Sequence, residues 1–152
     1  MTKTRDREDA AQKALRDSFS NIPYVDFLGI RVERRGNELT TILPFDQKLV
    51  GNPTLPALHG GVIGSFLETC ALAQIIWEDT LNRIPKTIDI SVDYLRSGQP
   101  RDTYARAIIA KHGRRVANVR AEAWQDDINR PIATAHGHFL LPPMEDEDPA
   151  ST

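Results

Sequence analysis

The chain has 152 residues, sets 19 Lys and Arg against 21 Asp and Glu for a formal charge of −2, and is 40% hydrophobic. That length fits one domain, and the near-neutral balance makes no electrostatic case for nucleic acid or a membrane surface as partner. The single cysteine, Cys70, excludes a disulfide scaffold, the polar start MTKTRDREDAAQKALRD lacks a signal-peptide core, and no apolar run approaches the ~20 residues of a bilayer span, so a cytoplasmic protein is expected.

Ala10, Ala11, Ala14, Leu15 and Phe19 recur at helical spacing among charges, which predicts a short amphipathic helix stopped by Asn21 and Pro23. Residues 1–24 are therefore expected to form a helical N-terminal segment. Residues 29–35 alternate in polarity and meet Gly36-Asn37, a hairpin-type turn, with the β-branched and aromatic residues 38–45 as the return strand. Pro53 and Pro56 argue against regular structure in the connector that follows. From Val62 to Thr80 apolar residues occupy nearly every helical face over a length too great for a strand, which predicts a buried helix.

After Pro85 the period changes to two, with Ile88, Ile90, Val92 and Tyr94 on one face and Thr87, Asp89, Ser91 and Asp93 on the other. Further strands are predicted at residues 103–111, 115–125 and 131–141, and their short separators predict an antiparallel meander. The acidic end, residues 143–152, is expected to trail in solvent. The sum is an α+β fold with one long buried helix beside an antiparallel sheet. A single sheet covers only part of such a helix, so a second subunit is expected to cover the rest.

The chemistry concentrates where His59-Gly60-Gly61 enters that helix. Paired glycines admit close approach of a ligand to the backbone, and a helix start offers unpaired N–H groups at the positive end of the dipole, a fit for a developing oxyanion. A tight entry turn would need the same glycines. Glu68 follows two helical turns on, sharing its stripe with Gly61, Gly64, Leu72 and Ile75. A carboxylate on that small and apolar face is costly unless it has a partner or a task, and a general base is such a task. The plain alternative is a structural Glu solvated by Thr69 or by another chain.

Elsewhere the plain readings prevail. His136 and His138 share a strand face without a third ligand at metal spacing, Cys70 reads as a core residue, and Ser65 lacks the G-x-S-x-G setting of a nucleophile. Lys111, Arg114 and Arg115 cluster at a hairpin end and Arg96 precedes a turn, either as a solvated rim or as partners for phosphate charges.

NPTLPALHGGVIGSFLE followed by KTIDISVDYLRSGQP resembles the phenylacetate-pathway (PaaI-like) group of hot-dog thioesterases, over residues 25–142. The combination of HGG, a carboxylate nine residues after the His, and a T-x-D-x-x-V-x-Y-L-R strand carries the resemblance. It implies an antiparallel sheet wrapped around a long central helix, dimers with a continuous sheet that often pair into tetramers, and a site at the dimer interface. It further implies acyl-coenzyme A as the substrate class, with no metal or organic cofactor. By position, Gly60 would donate its N–H to the thioester carbonyl, His59 would shape the pocket beside Gly61, and Glu68 would act as base or nucleophile. Thr87 would approach the carboxylate from the other subunit.

Two departures stand out. Many relatives carry Asp where this chain has Glu68. Their Asn or Gln lies six residues before the His, whereas Asn52 lies seven before it, so a one-residue bulge is needed for Asn52 to position water. The alternatives are an acyl-thioester dehydratase on the same fold, in which His59 would move the substrate proton, and a non-catalytic acyl-CoA binder that would not need Glu68.

Overall fold

The computed structural model describes residues 2–79 and 83–143, so the acidic tail lies outside the described residues except at Pro143. Its elements are α1 (Thr2–Ser20), α2 (Pro23–Leu28), β1 (Arg31–Arg35), β2 (Glu38–Leu43), a 3-10 turn (Gln47–Leu49), β3 (Val50–Asn52), β4 (Ala57–Leu58), α3 (Gly60–Glu78), β5 (Lys86–Tyr94), β6 (Thr103–His112), β7 (Val116–Trp124) and β8 (Ala133–Leu140). Six strands form one antiparallel sheet in the order β1-β2-β6-β7-β8-β5, curled around α3 in the hot-dog arrangement.

Packing explains that curl. The sheet face toward α3 carries Ala105 and Ala107 on β6, Ala117, Ala121 and Ala123 on β7, and Ala133 and Ala135 on β8, all buried. Small side chains on the sheet leave room for large ones on the helix, and Phe66 and Leu67 are fully enclosed there. Burial of each such side chain contributes about 1.5–3 kcal/mol. By length and composition α3 would pass for a bilayer span, contrary to the expectation of no such run. It is the core helix of this fold, with half of that stretch buried.

The N-terminal helix is longer than the sequence pattern indicates, and it covers a second face of α3. Leu15 and Phe19 of α1 pack with Ala73 and Ile76 of α3 and with Leu39 of β2. The chain itself thus covers part of the surface expected to need a partner. Three further differences are local. The short α2 was not foreseen; it starts with Pro23 in its first turn and ends at Gly29, whose φ of 73° closes the cap. The proline-bearing connector does hold regular structure, a two-stranded β3-β4 ribbon. The meander is confined to β6-β7-β8, because β5 crosses to pair with β8 and β6 pairs with β2.

The far end of α3 is locked electrostatically. Asp79 is buried, and the Arg83 guanidinium contacts its carboxylate at 3.3 Å while also donating to the carbonyls of Arg114 and Pro142. That lock holds the β6–β7 hairpin at the C-terminal end of the helix.

Cys70 faces the core from mid-helix, and burial pushes its thiol up to about 12. The native protein is therefore expected to leave Cys70 unreacted with a disulfide reagent at pH 8 and to titrate one thiol after denaturation, followed by thiolate release. Fast reaction of the native protein would contradict this packing.

Candidate active site

The entry to α3 is fixed by the way its polar groups are shared. His59 is the N-cap, and its Nδ1 accepts the Gly61 N–H at 2.9 Å. A Cβ at Gly61 would lie 2.9 Å from that ring, so the cap itself requires glycine there. The His59 carbonyl accepts the N–H groups of Val62 and Ile63 at 3.1 and 3.2 Å. In a trans peptide the C=O and N–H point opposite ways, so the N–H across from that carbonyl, which belongs to Gly60, points out of the helix start. No acceptor among the described residues takes it. One outward N–H therefore stands at the positive end of a 19-residue helix.

The next peptide is held from both sides. Its N–H goes to the His59 ring, and its carbonyl, that of Gly60, accepts the Tyr94 hydroxyl proton at 2.6 Å. The α3 face is small here because Tyr94 fills the space: Cβ atoms at Gly60 and at Gly64 would both stand 3.5 Å from it. The period-two pattern assigned Tyr94 to a strand face but did not reveal this role; a Tyr in an otherwise aliphatic row was the only signal.

Glu68 lies on the stripe that runs from Gly61 through Ser65. It is half-buried, and among the described residues nothing hydrogen-bonds or ion-pairs with its carboxylate. Thr69 does not solvate it, since its hydroxyl donates to the Ser65 carbonyl at 2.8 Å. Ser65 donates to the Gly61 carbonyl at 2.8 Å and stands 3.4 Å from the Tyr24 hydroxyl. A partly desolvated carboxylate without a protein partner is poised to act on a ligand or on water. His59 suits the dehydratase alternative poorly, because its Nδ1 lone pair is spent on the helix cap.

The remaining expected site residues are dispersed. The β3 register shifts between Val50 and Asn52, the one-residue irregularity that Asn52 requires, but its Oδ1 accepts the Thr54 and Leu55 N–H groups at 3.0 and 3.3 Å. Thr87 is exposed near the start of β5, an edge strand open on its outer side. Arg96 lies just beyond Tyr94, at the Gly60 end, with its guanidinium on the Pro131 carbonyl at 2.6 Å. Lys111, Arg114 and Arg115 belong to the hairpin at the other end of α3, a helix about 28 Å long at 1.5 Å per residue. Within one chain they do not reach Gly60.

The described residues hold no group of three or more His, Cys, Asp or Glu placed to share a metal ion. His138 instead bonds Asp89 across the strands at 2.9 Å. This bond holds the Asp89 carboxyl below its ordinary range, against an upward push from desolvation.

Comparison with known proteins bears on the family and the fold. The family model described as the thioesterase superfamily matches residues 55–132. An Escherichia coli protein named medium/long-chain acyl-CoA thioesterase YigI is 32% identical over 135 residues, which span 80% of this chain and 86% of that protein. A crystal structure of a Chromobacterium violaceum protein is 40% identical, covers 95% of this chain and 100% of its own, and superposes with a TM-score of 0.69. A Bacillus halodurans protein crystallised with CoA shares the fold at 19% identity, with a TM-score of 0.71 over 90% of this chain and 94% of its own.

The His59 cap has a measurable worth. His59→Ala is expected to lower unfolding stability by about 1 kcal/mol, and His59→Asn, which can still accept the Gly61 N–H, to recover most of it. Denaturant melts of the three proteins check this; equal stability of the alanine and asparagine variants would contradict it.

Proposed function

Since the chain belongs to the thioesterase superfamily, we propose that it hydrolyses acyl-CoA thioesters, with the Gly60 N–H and Glu68 at the centre of the reaction. The observation that carries the proposal is the pairing, on one helix, of an N–H at the start and a carboxylate two turns on that have no partner among the described residues. The thioester oxygen accepts the Gly60 N–H, which stabilises the charge that develops as the carbonyl carbon becomes tetrahedral. Glu68 takes a proton from the attacking water, or attacks directly to form an anhydride that water then opens. The C–S bond breaks, and the departing thiolate receives a proton to leave as coenzyme A. Oxyanion stabilisation and base catalysis suffice for this chemistry without a metal or organic cofactor.

The substrate class rests on the relatives. The Escherichia coli protein is named for medium- and long-chain acyl-CoA, and the Bacillus halodurans structure holds CoA. We take the same acyl-CoA class for this chain and place the reaction in the cytoplasm.

The functional unit in this proposal is a dimer joined along β5, with two dimers forming a tetramer. Of the two sheet edges, β1 is short and guarded by Arg31, Glu33, Arg34 and Arg35, as edges that avoid pairing are. The other edge, β5, runs nine residues and exposes Ile88 and Tyr94. Two copies related by a twofold axis and paired antiparallel along β5 would set the Lys86 end of one against the Tyr94 end of the other. The partner subunit's Thr87 would then approach the Gly60 end of α3. The partner's hairpin with Lys111, Arg114 and Arg115 would lie toward the same end, beside this chain's Arg96, where a nucleotide phosphate needs cations.

Two measurements test the reading. Glu68→Gln keeps the side-chain shape but removes its basicity, so kcat is expected to fall by roughly 10²–10⁴-fold with acyl-CoA binding retained. Near-normal turnover by that variant would remove Glu68 from the mechanism. Light scattering at micromolar concentration is expected to give at least twice the mass of one chain, and a folded, fully active monomer would contradict the shared site.

A further inference from the structure

The geometry points to a role for α2 that the reaction chemistry does not use: Tyr24 and Phe27 form the wall that receives the acyl group and sets the preference for long over short chains. This inference rests on the acyl-CoA reading and names the side chains that would select among its substrates.

The helix is anchored on one face and bare on the other. Val25 and Leu28 are buried, Pro23 fixes its first turn and Gly29 its end. Tyr24 and Phe27, one turn apart, are 51% and 56% exposed. Their rings stack with centroids 6.2 Å apart and planes 11° from parallel, and the Lys48 ammonium sits 4.3 Å from the Phe27 ring centre. Each of these contacts limits how the rings can turn, so the pair is a preformed apolar surface rather than two free side chains.

Its position identifies the occupant. The Tyr24 hydroxyl lies 3.4 Å from Ser65 Oγ, and Ser65 is bonded in turn to the Gly61 carbonyl at 2.8 Å. Ser65 stands three positions before Glu68 and four after Gly61, so all three share one helix face. The aromatic shelf is thus continuous with the stripe that carries the carboxylate. An acyl group whose carbonyl lies at the Gly60 N–H needs an apolar surface within reach of that stripe, because from Gly61 to Glu68 the stripe is glycine, serine and glutamate, and its apolar residues, Leu72 and Ile75, come only beyond. Exposed apolar surface beside a reaction centre marks where the apolar part of a substrate rests. Contact with two rings favours the substrate with more methylenes, since each methylene that finds apolar surface adds to binding.

The test is the ratio of kcat/KM for decanoyl-CoA to that for butyryl-CoA in the full-length protein. Phe27→Ala and Tyr24→Ala are each expected to lower this ratio by about tenfold, within the range that a few buried methylenes command. Phe27→Leu, which keeps an apolar side chain, and Tyr24→Phe, which loses only the Ser65 contact, are expected to hold it within about threefold. Thermal melts and light scattering accompany each variant. An unchanged ratio in both alanine variants overturns the inference. So does an equal loss on both substrates, which marks a structural role, or a change in oligomeric state, which marks a protein contact. Wild-type protein that cleaves no acyl-CoA overturns the substrate reading itself, an outcome distinct from an active enzyme whose chain preference ignores these rings.

Discussion

A helix that is apolar on nearly every side must be covered on nearly every side, and most of this structure follows from that demand on α3. The alanine-rich faces of β6, β7 and β8 take the bulky side chains of one flank. The N-terminal helix takes another through Leu15 and Phe19. Tyr94 and Val92 of β5 close over the glycines near its start. What remains less covered near the helix start is the stripe of Gly61, Ser65 and Glu68, while at its far end Gln74 and Glu78 bond each other on another side.

The polar economy of the helix start is equally specific. A helix begins with N–H groups that have no partner, and capping usually satisfies several of them. Here the His59 ring takes one, its carbonyl takes two, and the outward N–H of Gly60 remains. A histidine in this capping role differs from a histidine acting as a base, although the two are identical in sequence. That difference separates hydrolysis from the dehydratase chemistry with which the fold is also compatible.

The long elements were legible because their signals are long. Nineteen residues of α3 cannot be confused with a strand, and alternation over β5 to β8 marks those strands within a few residues. The α2 helix, six residues long, contains too few turns for a periodic signal. The β3 and β4 strands, of three and two residues, rest on pairing rather than on pattern, and the prolines beside them do not interrupt their few bonds. The pairing of β5 with β8 joins segments far apart in sequence, where separator length carries no information. In the candidate site, the placement of Gly60 and Glu68 along one helix was legible from their spacing. The Tyr94 contact was not, because it depends on which strand lies over the helix start. The spread of Lys111, Arg114 and Arg115 away from Gly60 was hidden for the same reason.

The strand order also bears on how the protein is made. Among the described residues β5 has one neighbour in the sheet, β8, which follows every other described strand in the chain. During translation β5 and its Tyr94 emerge with α3 but have no edge to join until residues 133–140 have left the ribosome. Until then β5 is a nine-residue strand of alternating Ile, Val and Tyr with both edges open, the kind of segment that chaperones shield. Such a chain completes its core only when β8 joins, the same step that docks β5, and a truncation that removes β8 would take Ala133, Ala135 and Phe139 from the core as well as leave the helix entrance without its tyrosine.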